Sequence, residues 1–228
     1  VTIDFKGSQY PKSVILYAVF FYVRYAVSYR DLEEIMAERG VHIYHTTLNR
    51  WVVKYSISIA ANAQSRKRQV ANSWRMDETY IKVRGKWTYL YRAVDRDGQT
   101  VDFMLSVHRD LAAARRFFRK SIETNDVPDR VVIDKSGANL AGLQAVNVGL
   151  KFTGLGRIIG IVQSKYLNNI IEQDHRFIKK ITRPMLGFKA LHSAASTLAG
   201  IETAHMIRKG QLDQTGLTAF QQFAELAA

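Results

Sequence analysis

The hydrophobic period of this chain changes near residue 74. Before that point apolar residues recur at helical spacing, and residues 12–56 are predicted to be helical. The run from Val14 to Val23 holds ten apolar or aromatic residues, short of the roughly 20 that a membrane span needs. Arg24 and Tyr25 follow it in place of a small-residue cleavage site, so it is read as a buried core helix and not as a signal peptide. Ser28 is placed to cap a helix over residues 29–39, with Asp31 in its first turn facing the positive end of the helix dipole. Gly40 stops that helix. A second helix starts near His45, with Leu48, Trp51, Val52 and Tyr55 on one face and Thr46, Asn49, Arg50 and Lys54 on the other. Helix, glycine turn and a helix with an amide- and cation-bearing face is the layout of a helix-turn-helix, in which Asn and Arg read base edges while Lys and Thr suit phosphates. An ordinary α-hairpin carries the same pattern, which does not by itself choose between the two.

Residues 57–73 are polar and contain Arg66-Lys67-Arg68. They are predicted as a basic linker lying near nucleic acid, although a solvated charge run reads the same way. Strand-like alternation then covers 76–83, 87–94 and 100–107, with Arg96-Asp97-Gly98 as a turn. A helix over 110–122, a strand over 130–134 and a helix over 138–148 follow. The glycine-rich stretch 150–163 leaves room for one short strand, and helices are predicted over 165–181 and 189–209, then a tail. This order predicts an α/β fold, a mixed sheet flanked by helices, preceded by an all-α domain. The boundaries are an N-terminal helix-turn-helix domain at 1–56, the linker at 57–73, a catalytic domain at 74–183 and a C-terminal helix and tail at 184–228. Trp51, Trp74 and Trp87 are expected in the core, and Trp74, next to the linker, is equally placed to stack on a base.

Composition adds a partner. Of 228 residues, 47% are hydrophobic, enough for a sizeable core, and 33 Lys+Arg against 20 Asp+Glu give a formal net charge of +13. A basic surface of that size suits a polyanion. The absence of cysteine excludes disulfides and thiolate metal sites and permits a reducing cytoplasm. His42 and His45 have ligand-like spacing, yet no Cys or His cluster joins them, so zinc is not expected. No Walker A loop and no dinucleotide fingerprint is present.

Three separated stretches each offer one carboxylate: Asp77 within an apolar strand, in phase with Thr79, Ile81 and Val83; Asp134 after Val131-Val132-Ile133; and Glu172 on the helix over 165–181. On that helix Lys165, Asn168, Asn169, His175, Arg176 and Lys179 fall within about 60° of Glu172, while Ile170, Ile171, Phe177, Ile178 and Ile181 face away. Glu172 taken alone could simply pair with Lys165, Arg176 or Lys179 across a turn. Either strand Asp taken alone could be a buried ion pair with Arg or Lys. If the three converge, hard carboxylate oxygens suit Mg²⁺ or Mn²⁺. Asp77 would then bridge two ions about 3.5–4 Å apart, with Asp134 and Glu172 each completing one shell, and the surrounding Lys and Arg would neutralise phosphates. That is phosphodiester chemistry.

Met76-Asp77-Glu78-Thr79-Tyr80, Tyr89 to Asp95, Tyr166-Leu167-Asn168-Asn169, Glu172-Gln173-Asp174-His175, Gly187-Phe188-Lys189 and Ile207 to Gln211 resemble the DDE transposases of bacterial IS6-type insertion sequences. The resemblance runs from Phe5 to Gln211 in the family's order. It implies a ribonuclease H-like core behind a helix-turn-helix, with Asp77, Asp134 and Glu172 as the metal-binding triad. Lys179 takes the place of the family's downstream DNA-contacting basic residue. The implied partners are the element's terminal inverted repeats and target DNA, with a homodimer or higher oligomer pairing two ends, in the bacterial cytoplasm at the nucleoid and away from membranes. The implied reaction is nicking at the repeats and attack of the freed 3′-hydroxyl on target DNA. A nuclease without strand transfer, or a decayed copy that only binds, are the alternatives. Two departures stand out: 37 residues separate Asp134 from Glu172, a few more than is commonest, with the surplus expected in 149–163, and Lys135-Ser136-Gly137 is an unusual loop for the family.

Overall fold

A computed structural model describes residues 3–152, 157–164, 168–212 and 216–228. In chain order its elements are α1 (Lys12–Arg24), α2 (Tyr29–Ala37), α3 (His45–Arg66), β1 (Ser73–Val83), β2 (Lys86–Asp95), β3 (Thr100–Ser106), α4 (Leu111–Asn125), β4 (Arg130–Ile133), α5 (Gly137–Phe152), β5 (Gly160–Gln163), α6 (Asn169–Thr182), α7 (Leu191–Arg208) and α8 (Ala219–Glu225). They form two compact units: residues 1–68, 83–85 and 178–228 make the first, and 69–82 with 86–177 make the second.

The first unit is helical and discontinuous in sequence. Ser28 and Asp31 form a reciprocal capping box at the start of α2, the Ser28 hydroxyl accepting from the Asp31 amide at 3.1 Å and the Asp31 carboxylate from the Ser28 amide at 2.8 Å. Ser28→Ala is expected to cost about 1 kcal/mol, read as a lower urea midpoint of the full chain. Gly40 follows with φ of 76°, a left-handed conformation that ends a helix and suits glycine. The expected linker is corrected here. α3 does not stop near Ser56 but runs on to Arg66, because Ile59, Ala60 and Ala63 continue the buried stripe of Val52 and Tyr55. That stripe packs on α7, which also meets α1. The approach is close: a Cβ on Gly200 of α7 would fall 2.7 Å from Val23 and 2.8 Å from the Ser56 hydroxyl. The expected tail contains α8, which has its own capping box from Thr218 and Gln221 and buries Phe223 against Phe20.

The second unit is a five-stranded sheet in the order β3-β2-β1-β4-β5. β2 and β3 are antiparallel, whereas β4 is parallel to both β1 and β5. The turn at Arg96-Asp97-Gly98 forms as expected, organised by the Asp95 carboxylate, which accepts from the amides of Asp97 and Gln99. Trp74, Met76, Tyr91, Val131 and Ile133 pack against Phe117 and Phe118 of α4 and Leu143 of α5. α4 and α5 touch at Gly142, where a Cβ would lie 2.6 Å from that of Ala114. One core assignment is wrong: Trp87 is 64% exposed, at the open start of β2, where it meets Tyr80 edge-on. Among the described residues no helix is long and apolar enough to cross a membrane.

Candidate active site

Strand register brings the first two acids together. Ser73, Trp74 and Arg75 of β1 pair with Arg130, Val131 and Val132 of β4, and continuing that parallel register by two residues sets Asp134 beside Asp77. Neighbouring strands lie about 4.8 Å apart, so the two side chains share one strand end. β5 extends the edge, its Ser164 amide donating to the Ile133 carbonyl at 3.1 Å. α6 supplies Glu172, and Asn168 stands immediately before its first residue. Asp77, Asp134, Lys135, Gln163, Ser164, Asn168 and Glu172 line a single open cleft of about 660 Å³.

Each acid is held differently. The Asp134 Oδ1 accepts from the Ser136 amide at 2.9 Å, which shapes the Lys135-Ser136-Gly137 loop, and its Oδ2 lies 3.5 Å from Arg109. Asp77 is half-buried, with His175 Nε2 at 3.4 Å from its Oδ2. Glu172 is exposed and, among the described residues, pairs with neither Arg176 nor Lys179. Arg176 and Lys179 are exposed on the same helix. Lys165, expected beside them, lies outside the described residues, as do Tyr166, Leu167 and part of the glycine-rich stretch expected to take up the extra spacing.

Three residues depart from the expected polar face of α6. His175 and Asn168, predicted to point outward, are buried, at 5% and 2% exposure, while Ile170, predicted inward, is exposed. A buried cation explains the first reversal. Arg92 of β2 donates to Asp174 at 2.6 Å and faces His175 Nδ1 at 3.3 Å, so the sheet draws in a polar stripe at the start of α6.

A fourth acidic residue, Glu78, joins the site. Glu78 follows Asp77 on β1 and therefore leaves the opposite face of the sheet, in phase with Trp74 and Met76. A carboxylate in that apolar phase was the available signal. It is buried at 8% exposure, accepting from Arg109 at 3.3 Å and from Asn139 of α5 at 3.2 Å. Burial pushes its pKa up, and the Arg109 guanidinium pulls against that. Asp77, Glu78 and Asp134 each bring an oxygen within 4.8 Å of the others, and Glu172 stands outside that closest group. The ion-pair reading of the two strand aspartates is thus met in part, by Arg109 at Asp134.

In the first unit, Thr46, Asn49, Arg50 and Lys54 are all exposed along α3. Arg50 donates to Thr47 at 3.0 Å, and Lys54 sits over the ring of Tyr55. The basic run is more committed: Arg66 donates to the Glu225 carbonyl, Arg68 to that of Gly210, and Lys67 bridges Leu212 through its backbone. His45 pairs with Glu33 at 2.8 Å.

A central strand and its parallel neighbour thus each deliver an acid to one cleft of a mixed sheet of order 3-2-1-4-5. Residues 71–211 match the DDE domain family of IS240-type transposases. The chain is 39% identical over 206 residues to the transposase for insertion sequence-like element IS431mec of Staphylococcus aureus, covering 90% of this chain and 88% of that one. It matches the transposase for insertion sequence element IS257 in transposon Tn4003, also from Staphylococcus aureus, at the same identity and coverage. This protein belongs to the IS431/IS257 group of IS6-type DDE transposases. Among solved structures it is similar to the HTLV-2 integrase catalytic core domain in complex with magnesium, at 15% identity over 70% of this chain and 86% of that one, with a TM-score of 0.40. It is also similar to the Drosophila P element transposase strand transfer complex, at 12% identity over 97% of this chain and 64% of that one, again with a TM-score of 0.40.

Proposed function

We propose that this transposase binds the terminal inverted repeats of its element, nicks the ends, and joins the freed 3′-hydroxyl to target DNA, with Asp77, Asp134 and Glu172 as its catalytic carboxylates. The observation that carries this reading is the shared cleft: two acids in register on parallel strands and a third on α6, in a chain of net charge +13. The donor set fits a hard divalent cation, since every charged ligand is a carboxylate and Asn168 adds an amide at the rim. Mg²⁺ or Mn²⁺ held by these three residues supplies Lewis-acid activation of the attacking oxygen and stabilisation of the leaving one. Glu78 is left out of the set because Arg109 and Asn139 already occupy its oxygens.

The chain's own groups do the rest. Lys135 at the cleft mouth, and Arg176 and Lys179 along α6, offset phosphate charge. Lys165 and the run Arg66, Lys67 and Arg68 are assigned to the same DNA, the run with less freedom because its arginines also hold the chain's own carbonyls. Helices α2 and α3 act as a helix-turn-helix that presents Thr46, Asn49, Arg50 and Lys54 to the repeat. Two ends must be held together, which calls for at least a homodimer, acting at the nucleoid.

A strand-transfer assay with labelled repeat ends, target plasmid and Mg²⁺ tests the reading. Nicked and joined products are expected. Nicking alone would make the protein a nuclease, and binding alone would make it a decayed copy. Arg50→Ala is expected to weaken repeat over random DNA by roughly 1–3 kcal/mol in competition shifts. Equal loss on both DNAs would reassign Arg50 to phosphate.

A further inference from the structure

Four polar side chains form a line through the catalytic core. Asp174 accepts from one terminal nitrogen of Arg92 at 2.6 Å. The other terminal nitrogen of Arg92 lies 3.3 Å from Nδ1 of His175. On the far side of the ring, Nε2 lies 3.4 Å from the Asp77 carboxylate. Arg92 is 1% exposed and His175 5%, so the middle of this line is shielded from water, while Asp77 at its end faces the cleft.

The chemistry of the groups fixes where the proton sits. A guanidinium only donates, so the nitrogen it faces must accept. Nδ1 therefore carries a lone pair, and a neutral imidazole with an accepting Nδ1 carries its hydrogen on Nε2. Nε2 is buried and makes no hydrogen bond among the described residues. The carboxylate it faces is that of Asp77, whose Oδ2 lies 3.4 Å away, an electrostatic contact outside hydrogen-bond geometry. Asp174 offsets the buried charge of Arg92, which keeps the guanidinium in place.

We propose that Arg92 and His175 are positioning residues for Asp77: Arg92 selects the Nε2–H tautomer of His175, and that N–H holds one carboxylate oxygen of Asp77 so that its remaining lone pairs serve the cleft. The proposal rests on the reading of Asp77 as a cation ligand given above. A histidine ring clamped between a guanidinium and a ligand carboxylate fixes the carboxylate's orientation, as outer-shell partners of metal ligands do. The sequence Glu172-Gln173-Asp174-His175 gains a physical reading: one helical turn delivers a cleft carboxylate, the counter-ion of Arg92, and the ring that Arg92 orients.

Two measurements on the full chain test this. Two-bond proton–nitrogen correlation spectra of the metal-free protein report which ring nitrogen of His175 is protonated. Nε2 is expected, and a proton on Nδ1 overturns the proposal. Calorimetric titration with Mn²⁺ then compares the wild type with H175Q, H175N and D77N, with thermal midpoints taken alongside. The Gln amide nitrogen reaches the Nε2 position and can still donate to Asp77, whereas the Asn amide reaches only the Nδ1 position. H175Q is expected to bind Mn²⁺ close to wild type, and H175N about 10- to 100-fold more weakly. Equal binding by the two variants overturns the positioning role. If D77N itself binds Mn²⁺ as well as the wild type, the cation-site reading fails instead, so the two failures are distinguishable.

Discussion

Asp134→Asn is expected to lower nicking of repeat ends by on the order of 10³-fold or more, while binding to the same ends persists. The substitution is nearly isosteric. The remaining carbonyl oxygen can still accept from the Ser136 amide that shapes the loop after β4. What disappears is the negative charge at the one position that β-sheet register sets beside Asp77. Loss of several kcal/mol of transition-state charge stabilisation corresponds to that fall in rate. Denaturing gels of labelled ends measure it, with mobility shifts as the binding control. Cleavage near the wild-type rate would remove Asp134 from the catalytic set. Arg109, which also approaches Asp134, keeps Glu78 as a partner in the variant, so the fold is not expected to fail with the chemistry.

Gly142→Leu should be the most destabilising substitution on α5, at about 3 kcal/mol, the upper end of overpacking costs. A Cβ at Gly142 already meets the Ala114 side chain at 2.6 Å and α4 backbone atoms at 3.1 and 3.2 Å, and backbone cannot step aside as a side-chain tip can. Gly149 on the same helix has nothing within 4 Å of its Cβ position. Gly149→Leu is therefore expected to stabilise slightly, because glycine is a poor helix residue. Urea unfolding of the two variants should move the midpoint in opposite directions. Midpoints that fall together would mean that α4 and α5 are not packed as described.

Local rules made most of the second unit legible in the sequence. Period-two alternation placed three strands, and the run Val131-Val132-Ile133 a fourth, within three residues of their observed starts and ends, since these strands have a face on a continuous apolar core. The phase of Asp77 with Thr79 and Ile81 also held. Features decided by distant residues were not legible. Buried polar groups such as His175 look like surface residues until Arg92, some eighty positions away, is brought against them. Glu78 was hidden by proximity to Asp77, whose role drew the argument, although its partner Arg109 lies 31 positions on. Trp87 misled because aromatic character predicts burial on average and says nothing of whether a helix covers that end of the sheet. The length of α3 is not legible because polar residues such as Asn62 read as linker, yet Asn62 is buried and donates to the carbonyl of Leu226.

That last bond belongs to a wider arrangement, the helical unit assembled from both ends of the chain. On the ribosome, α1 and α3 emerge first and must wait for some 120 further residues before α7 arrives to cover their apolar stripes. The intervening sheet has its own core and can condense in the meantime, as nascent domains generally do. Helices α1 and α3 therefore gain their full support only once α7 has been made, and a polypeptide terminated before it would expose Ile59, Ala63 and Val23 to aggregation.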